Sequence, residues 1–280
     1  MREQKIMERV QEHYDYLIGQ GYDVVCLCLQ GSQNYDLDEY SDEYQSDIDT
    51  KAIVLPPLDD YINAATPISK VLIMENNEHI EVKDIRVMFE MFKKANLSYI
   101  ELLYTEFKII NPKWKDFIQP LFDNKDVVAS YNRNQFLRCI AGMAMEKRKA
   151  LCHPYPNIVE KIEKYGYDGK QLHHCVRLYS FIDRYTRGEP LEKCYKVKNL
   201  FRWVLMNYKK QLDAYGQPMS AENAISACDY YVEEIRKIKD ANLSPHDEIN
   251  QEAVDLLKKL QYNIIKEKLR RELDDERSNE

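Results

Sequence analysis

The sequence lacks the segments that mark a membrane or a secreted protein. Its 280 residues contain no apolar run of the roughly eighteen residues that a membrane-spanning helix needs. The first residues have no apolar signal-peptide core. The seven cysteines are scattered without a C-x-x-C pair, a pattern that does not predict a disulfide framework. We therefore expect a reduced, cytoplasmic protein with no membrane partner.

The sequence also lacks internal repeats and low-complexity linkers, and its strand signals stop near residue 130. What it contains is typical of a folded chain, with 44% hydrophobic and 31% charged residues. The length suits two modest domains. We expect an α+β fold, with a mixed sheet and flanking helices at residues 1–129 and an all-helical domain at 130–280.

Charge is distributed unevenly along the chain. Residues 1–130 have 13 Lys and Arg against 24 Asp and Glu, whereas residues 131–210 have 17 against 7. A basic middle between acidic flanks favours an anionic partner such as a triphosphate or an RNA end. The alternative is that helical faces simply differ in charge.

The stretch from 24 to 54 contains the most informative pattern. Val24 to Leu29 is continuously apolar and predicts a buried strand. The dipeptide Gly31-Ser32 follows as a turn, and a polar loop from Asn34 to Gln45 comes next. Ile48 to Leu55 predicts a second strand. The pattern is thus strand, turn, polar loop and strand.

Two aspartates, Asp47 and Asp49, open this second strand on one face. Paired carboxylates repel each other unless a cation lies between them, and Mg²⁺ prefers oxygen ligands. Nucleotidyl transfer uses two such ions about 3.5–4 Å apart to stabilise the attacking and leaving oxygens. The backbone N–H groups of Gly31 and Ser32, with the Ser32 hydroxyl, could hold phosphates. These residues predict a metal-dependent site for a nucleoside triphosphate.

A hairpin supplies a third acidic candidate. Val71 to Met74 and His79 to Val82 flank a four-residue turn. Alternation places Ile80 and Val82 towards the core, which leaves Glu81 on the opposite face.

In the helical half, Lys170, His174 and Arg177 are spaced by four and three residues and share one helical face. Lys and Arg bind phosphate, and His can hydrogen-bond a base or sugar. The alternative is an exposed basic face with no ligand. Lys147-Arg148-Lys149 is typical of a solvated helix end, and Ser244-Pro245 predicts the start of a helix.

Two motifs resemble a known family. Residues 31–35, Gly-Ser-Gln-Asn-Tyr, with residues 46–49, Ser-Asp-Ile-Asp, are similar to the signature of the DNA polymerase beta-like nucleotidyltransferase superfamily. They resemble in particular a bacterial and phage group described as RNA repair pathway polymerase beta family proteins. That group typically has Gly-Ser-x-x-Tyr-Gly-Leu, and Asp36 stands here in place of the second glycine. Residues 96–103 and 165–178 extend the resemblance.

The resemblance implies a polymerase beta-like core with a five-stranded mixed sheet, two Mg²⁺ ions for which Mn²⁺ could substitute, and an NTP such as ATP. Asp47, Asp49 and Glu81 would be the catalytic metal ligands. The superfamily usually has an aspartate at the third position, and Glu78 and Asp84 lie near Glu81 in the sequence. The implied reaction transfers a nucleoside monophosphate to an acceptor hydroxyl and releases pyrophosphate. The acceptor could be an RNA or tRNA 3′ end. The alternatives are a protein hydroxyl, as in toxin–antitoxin nucleotidyltransferases, and a non-catalytic nucleotide- or RNA-binding protein.

Overall fold

The structure is a computed structural model that describes residues 2–39 and 45–279. It contains a five-stranded mixed sheet in the order β3-β4-β2-β1-β5 together with many helices, so the α+β class is confirmed. The strands are β1 (Asp23–Gln30), β2 (Asp49–Leu55), β3 (Ser69–Ile73), β4 (His79–Asp84) and β5 (Lys108–Ile110).

The helices dominate the second half of the chain, and among the described residues none is long and apolar enough to cross a membrane. They are α1 (Arg2–Gly19), α2 (Leu58–Ile62), α3 (Ile85–Lys93), α4 (Leu97–Ile100), α5 (Lys115–Asp123), α6 (Lys125–Ala129), α7 (Arg133–Ala150), α8 (Val159–Tyr165), α9 (Gly169–Thr186), α10 (Leu191–Tyr195), α11 (Asn199–Lys209), α12 (Ala221–Asn242) and α13 (Gln251–Asn279). Short 3₁₀ helices cover Ser32–Tyr35, Glu101–Leu103 and Pro112–Trp114.

The sheet is mixed because β2 pairs parallel to β4, whereas β1 pairs antiparallel to both β2 and β5. The predicted hairpin is present as the antiparallel pair β3–β4. In the β1–β2 register Gln30 is the partner of Asp49, and in the β2–β4 register Lys51 is the partner of Glu81. The ends of three strands therefore bring their polar residues to one part of the sheet.

Helix α1 covers one face of the sheet. Its apolar residues Ile6, Val10 and Leu17 recur at helical spacing and are fully buried. They pack against the alternate strand residues that point to the same face, which are Leu27, Leu29, Ala52, Val54, Ile80 and Val82. Burial of this face sets the register, because a slip by one residue would expose the whole set to solvent.

The chain forms two compact units. The first comprises Met1–Asn34, Asp38–Asn132 and Ile249–Glu280, and the second comprises Tyr35–Leu37 and Arg133–Glu248. These units differ from the expected boundaries at the last helix, because α13 packs on α5, α3 and α6 of the first unit. The first unit contains the whole sheet, and the second is helical.

Two further predictions from the sequence concern the start of the last helix and the polar loop. The predicted helix start at Ser244-Pro245 is wrong, because α13 begins at Gln251 after Asn250. The Asn250 side chain accepts a hydrogen bond from the N–H of Glu252 at 3.0 Å and so caps the helix. Of the predicted polar loop 34–45, residues 40–44 lie outside the described part of the chain.

Candidate functional site

Two of the three acidic candidates, Asp49 and Glu81, lie on the face of the sheet opposite α1. Ile48 and Ala52 are buried beneath α1, so alternation directs Asp49 and Lys51 to the other face. On β4 the buried residues Ile80 and Val82 likewise leave Glu81 on that face, as the hairpin pattern predicts.

Asp49 lies at the start of β2, directly across from Gln30 at the end of β1. Its side chain is 40% exposed, and its Oδ1 accepts a hydrogen bond from the backbone N–H of His79 at 3.2 Å, with His79 Nδ1 at 3.1 Å. Asp47 precedes the strand and is exposed, and its carbonyl oxygen accepts a hydrogen bond from Gln33 Nε2 at 2.8 Å. Both aspartate side chains thus reach solvent.

The Gly31-Ser32 turn follows β1, so pairing of Gln30 with Asp49 brings it next to the aspartates. Gly31 has φ of +98°, a conformation that strains any residue with a Cβ. Its N–H donates to Oε1 of the buried Glu101 at 3.2 Å. The Ser32 hydroxyl donates to Gln33 Oε1 at 3.3 Å. The turn is therefore held by a carboxylate that sequence reasoning did not assign.

Asp36 is where this chain departs from the glycine of the family pattern. Its φ is +59°, a left-handed conformation that glycine adopts freely and that aspartate adopts more readily than most residues. Its carbonyl oxygen accepts a hydrogen bond from Arg202 Nε at 2.8 Å, and its carboxylate lies 3.4 Å from Lys196 Nζ. A left-handed backbone conformation is thus present at this position without a glycine.

Glu81 is engaged by lysines. Its Oε2 lies 3.3 Å from Lys51 Nζ and 3.7 Å from Lys83 Nζ, and its Oε1 accepts a hydrogen bond from Gln30 Nε2 at 3.3 Å. Lys51 is 2% exposed, and its ammonium lies 3.8 Å from the centre of the Tyr99 ring. Burial lowers the pKa of Lys51, and the Glu81 carboxylate opposes that shift. A buried ammonium needs such a partner, so Glu81 has a structural contact besides any catalytic one.

The oxygen donors suit Mg²⁺ in kind but are incomplete in number. Among the described residues, no three His, Cys, Asp or Glu side chains are grouped to hold a metal ion. Asp47 and Asp49 reach solvent as hard oxygen donors, whereas the carboxylate of Glu81 is paired with Lys51. The residues thus fit Mg²⁺ at two carboxylates.

A buried network fixes the backbone between the two aspartates. Glu78 Oε1 accepts the N–H of Ile48 at 3.0 Å, and its Oε2 lies 2.6 Å from Arg9 Nη2 and 3.1 Å from His13 Nε2. His13 Nδ1 lies in turn 2.9 Å from Thr50 Oγ1. Burial raises the pKa of Glu78, but the hydrogen bonds from His13 and Arg9 outweigh it and lower this pKa to about 2. Glu78 therefore positions the Asp-x-Asp segment, a role that its place in the turn did not reveal.

The second unit contains the three basic candidates on α9, but their exposures differ. Lys170 is exposed, His174 is half-buried and Arg177 is buried. The Arg177 guanidinium lies 3.8 Å from the centre of the Tyr35 ring, a cation–π arrangement. Burial, followed by the charges of the neighbouring basic groups, holds the pKa of His174 well below its usual range.

Lys147 of α7 joins this basic group. Burial lowers its pKa, and the charges of Lys170 and Arg177 lower it further. The adjacent Arg148 pairs with Asp229, and Lys149 pairs with Glu146. The expectation of a solvated helix end thus fails at Lys147, because helix packing turns it towards α9. We refer below to Lys147, Lys170, His174 and Arg177 as the basic cluster.

Comparisons with known proteins add little to this geometry. No protein-family model and no curated protein matches the sequence. Among solved structures, the chain is similar to a nucleotidyltransferase-like protein from Exiguobacterium sibiricum 255-15, with 11% sequence identity and a TM-score of 0.28. That likeness covers 86% of this chain and 75% of the other. A TM-score of this size does not define a shared fold, so the functional proposal rests on the residues of this chain.

Proposed function

We propose that this chain is a metal-dependent nucleotidyltransferase that transfers a nucleoside monophosphate from an NTP to an acceptor hydroxyl and releases pyrophosphate. One observation carries the proposal. The Gly31-Ser32 turn and Asp49 lie side by side, because Gln30 and Asp49 are partners at the same end of the sheet. A turn suited to phosphate next to solvent-facing carboxylates is the arrangement that NTP chemistry requires.

In this proposal Asp47 and Asp49 would hold Mg²⁺, which would neutralise charge on the phosphate oxygens. The Ser32 hydroxyl and N–H bind the terminal phosphates. The acceptor hydroxyl gives up its proton to solvent water as its oxygen forms a bond to the α-phosphorus, and the bond from that phosphorus to the bridging oxygen breaks. The electron pair leaves with pyrophosphate.

Glu81 is proposed as the third carboxylate on the same face. The ammonium of Lys51 lies 3.3 Å from Glu81. When the NTP binds, this ammonium would move from Glu81 to a phosphate oxygen. Lysine is suited to this exchange because its ammonium is a compact charge on a flexible stem. A second Mg²⁺ would require this release.

The basic cluster of the second unit is proposed to bind phosphate oxygens of the NTP or the acceptor. Like charges that lower the pKa of Lys147 repel one another, and an anion would relieve that repulsion. A phosphorylated acceptor such as an RNA end fits this charge, and a protein hydroxyl is the competing acceptor.

Incubation with each α-³²P-labelled NTP, Mg²⁺ or Mn²⁺, and either RNA or a protein extract tests the proposal. We expect label on RNA, and label on protein would identify the other acceptor class. The double variant Asp47→Ala/Asp49→Ala should lose incorporation. The matched control Asp116→Ala/Asp123→Ala removes two exposed carboxylates from α5 and should retain it. Equal incorporation by both variants, or no label on any acceptor, would contradict the proposal.

A further inference from the structure

His79 is the first residue of β4 and lies next to Asp49. In the parallel pairing of β2 with β4, Thr50 is the partner of Ile80. The residues directly before them are therefore neighbours at the same end of the sheet, and these are Asp49 and His79. Ile80 is buried, so alternation directs His79 to the face opposite α1. The side chains of His79 and Asp49 thus share the open face where their strands begin.

Two contacts join His79 to the same oxygen of Asp49. Its backbone N–H donates a hydrogen bond to Oδ1 at 3.2 Å, and its Nδ1 lies 3.1 Å from that oxygen. The backbone contact fixes the carboxylate relative to β4, while the His79 side chain remains 44% exposed. A nitrogen and an oxygen donor therefore lie together at one point of the solvent-facing surface.

The spacing of these two atoms suits a single metal ion. Neighbouring ligands of an octahedral ion, each about 2.1 Å from it, lie about 3.0 Å apart. The 3.1 Å between His79 Nδ1 and Asp49 Oδ1 matches this separation, and imidazole and carboxylate are both common metal ligands. No three ligand-type side chains are grouped among the described residues, so water and phosphate oxygens of the NTP would take the remaining positions.

A second histidine at the sheet shows what a structural role looks like. His13 of α1 is fully buried, and its ring nitrogens lie 2.9 Å from Thr50 Oγ1 and 3.1 Å from Glu78 Oε2. Both nitrogens of that ring are thus engaged inside the protein. The ring of His79 instead contacts a carboxylate that itself reaches solvent, which leaves room for an ion at the pair.

We propose that His79 is a ligand of the metal ion held by Asp49, and that this ion is a divalent transition metal such as Mn²⁺ rather than Mg²⁺. Mg²⁺ favours oxygen ligands, whereas divalent transition ions bind imidazole nitrogen as well as oxygen. Glu81 lies two residues further along β4, where Lys51 engages its carboxylate. The inference rests on the proposed function, because it takes Asp49 as a metal ligand, and it adds the identity of a further ligand and of the ion.

Pulsed EPR of Mn²⁺ bound to the full chain tests the ligand directly, because a coordinated imidazole nitrogen modulates the electron spin echo. Wild type should show this modulation, and Asp49→Ala should lose the bound ion. His79→Asn should lose the modulation, although its amide can still donate a hydrogen bond to Asp49. His246→Asn removes an exposed imidazole from the second unit and should leave the spectrum unchanged. Circular dichroism checks that the variants fold.

Competition between the two ions, followed by the EPR signal of free Mn²⁺ as MgCl₂ is added, tests the metal preference. His79→Asn should weaken Mn²⁺ binding at least about tenfold, since losing even a group that only orients a metal ligand costs about 10- to 100-fold. Mg²⁺ binding should change less, because Mg²⁺ retains water readily in place of a protein ligand. His79→Asp supplies an oxygen donor and should shift the preference towards Mg²⁺.

The possible results separate the role of His79 from the proposed function. A Mn²⁺ ion that requires Asp49 but shows no nitrogen modulation would overturn the role of His79 and leave the proposed metal site intact. Equal losses of Mn²⁺ and Mg²⁺ affinity in His79→Asn would do the same, since they would show that the ring only positions Asp49. No bound Mn²⁺, or equal Mn²⁺ binding by wild type and Asp49→Ala, would overturn both the inference and the proposed metal site.

Discussion

The two ends of the β1–β2 pair each have an aspartate, but the two carboxylates differ in their contacts and exposure. At one end Asp23, the partner of Leu55, accepts a hydrogen bond from Trp114 Nε1 at 2.8 Å and lies 2.8 Å from Lys268 Nζ. At the other end Asp49 is 40% exposed and faces solvent beside the similarly exposed His79. The same backbone pairing supports both ends, but only the first pairs its carboxylate with a lysine, whereas Asp49 contacts the backbone N–H and the ring of His79.

This difference separates stabilising groups from available ones. A buried carboxylate with protein partners contributes to folding, and removing one member of such a pair leaves an uncompensated charge. A carboxylate that points to solvent contributes little to folding, since exposed ion pairs are weak. In the proposed function, the solvent-facing charge at the Asp49 end, next to the Gly31-Ser32 turn, is available to a ligand.

The largest expected effect is on activity at the solvent-facing end. Asp49→Asn should lower nucleotidyl transfer on the order of 10³-fold, the scale for loss of one group that stabilises transition-state charge. The free energy of unfolding in urea should stay within about 0.5 kcal/mol of wild type, because the side chain is exposed. Activity assays with urea titrations measure both quantities. A stable variant with full activity would break the comparison.

Glu78→Gln should lower both activity and the free energy of unfolding, because this buried residue lies at the same end of the sheet as the site. The amide keeps the shape but weakens the contacts to Arg9 and His13, so we expect a loss of about 2 kcal/mol in stability. Activity should fall about 10- to 100-fold, the usual range for residues that orient a metal ligand. The loss should appear in kcat rather than in KM for the NTP, since Glu78 holds Ile48 between the aspartates.

The pH dependence gives Glu78→Gln a second test. In the folded protein the pKa of Glu78 is about 2, lowered from 4.5. A lowered carboxylate pKa means that its stabilisation is present above the unfolded pKa and is lost as pH falls from about 4.5 towards 2. Glu78→Gln should lose this part of the acid destabilisation. Urea titrations between pH 2 and 6 compare the two proteins, and identical slopes would contradict the network.

Asp23→Asn is the matched change at the opposite end of the sheet. Burial alone would raise the pKa of Asp23. Hydrogen bonds from Lys268 and Trp114 outweigh this effect and lower the pKa below its usual value, so the carboxylate is ionised and paired. The amide should cost about 2 kcal/mol of stability, because Lys268 loses one of its two carboxylate partners and keeps Glu272. Nucleotidyl transfer per folded molecule should not change. A loss of kcat comparable to that of Glu78→Gln would show that the two ends are not independent.

Local patterns explain which parts of the fold could be predicted from the sequence. The period of two along β2 and β4 correctly places Ile80 and Val82 in the core and Glu81 on the opposite face. The burial of Cys26 and Cys28 follows in the same way from the apolar run Val24 to Leu29. These features depend on neighbours in sequence, so periodicity suffices.

The remaining features depend on contacts between distant residues. The hydrogen bond of Glu101 to the Gly31 N–H joins residues 70 apart, and that of Glu78 to Ile48 joins residues 30 apart. In the sequence, Lys51 is indistinguishable from an ordinary strand residue. Only the pairing of β2 with β4 shows that Glu81 is its partner. The Ser244-Pro245 prediction fails for a related reason, because the local cap signal at Asn250 is followed by the apolar residues that pack on the first unit.

The smallest expected effect extends the comparison to two lysines of α7. Lys149 is paired with Glu146 at 2.8 Å and is exposed, whereas Lys147 is half-buried next to Lys170 and Arg177, whose charges help to lower its pKa. Lys147→Met should weaken binding of inorganic tripolyphosphate by about tenfold, the equivalent of about 1.4 kcal/mol for one charged hydrogen bond. It should also stabilise the protein slightly, since it removes a repulsive charge. Lys149→Met removes the same charge from the same helix and should leave tripolyphosphate affinity unchanged by isothermal titration calorimetry. Equal affinities for the two variants would show that the basic cluster binds no phosphate.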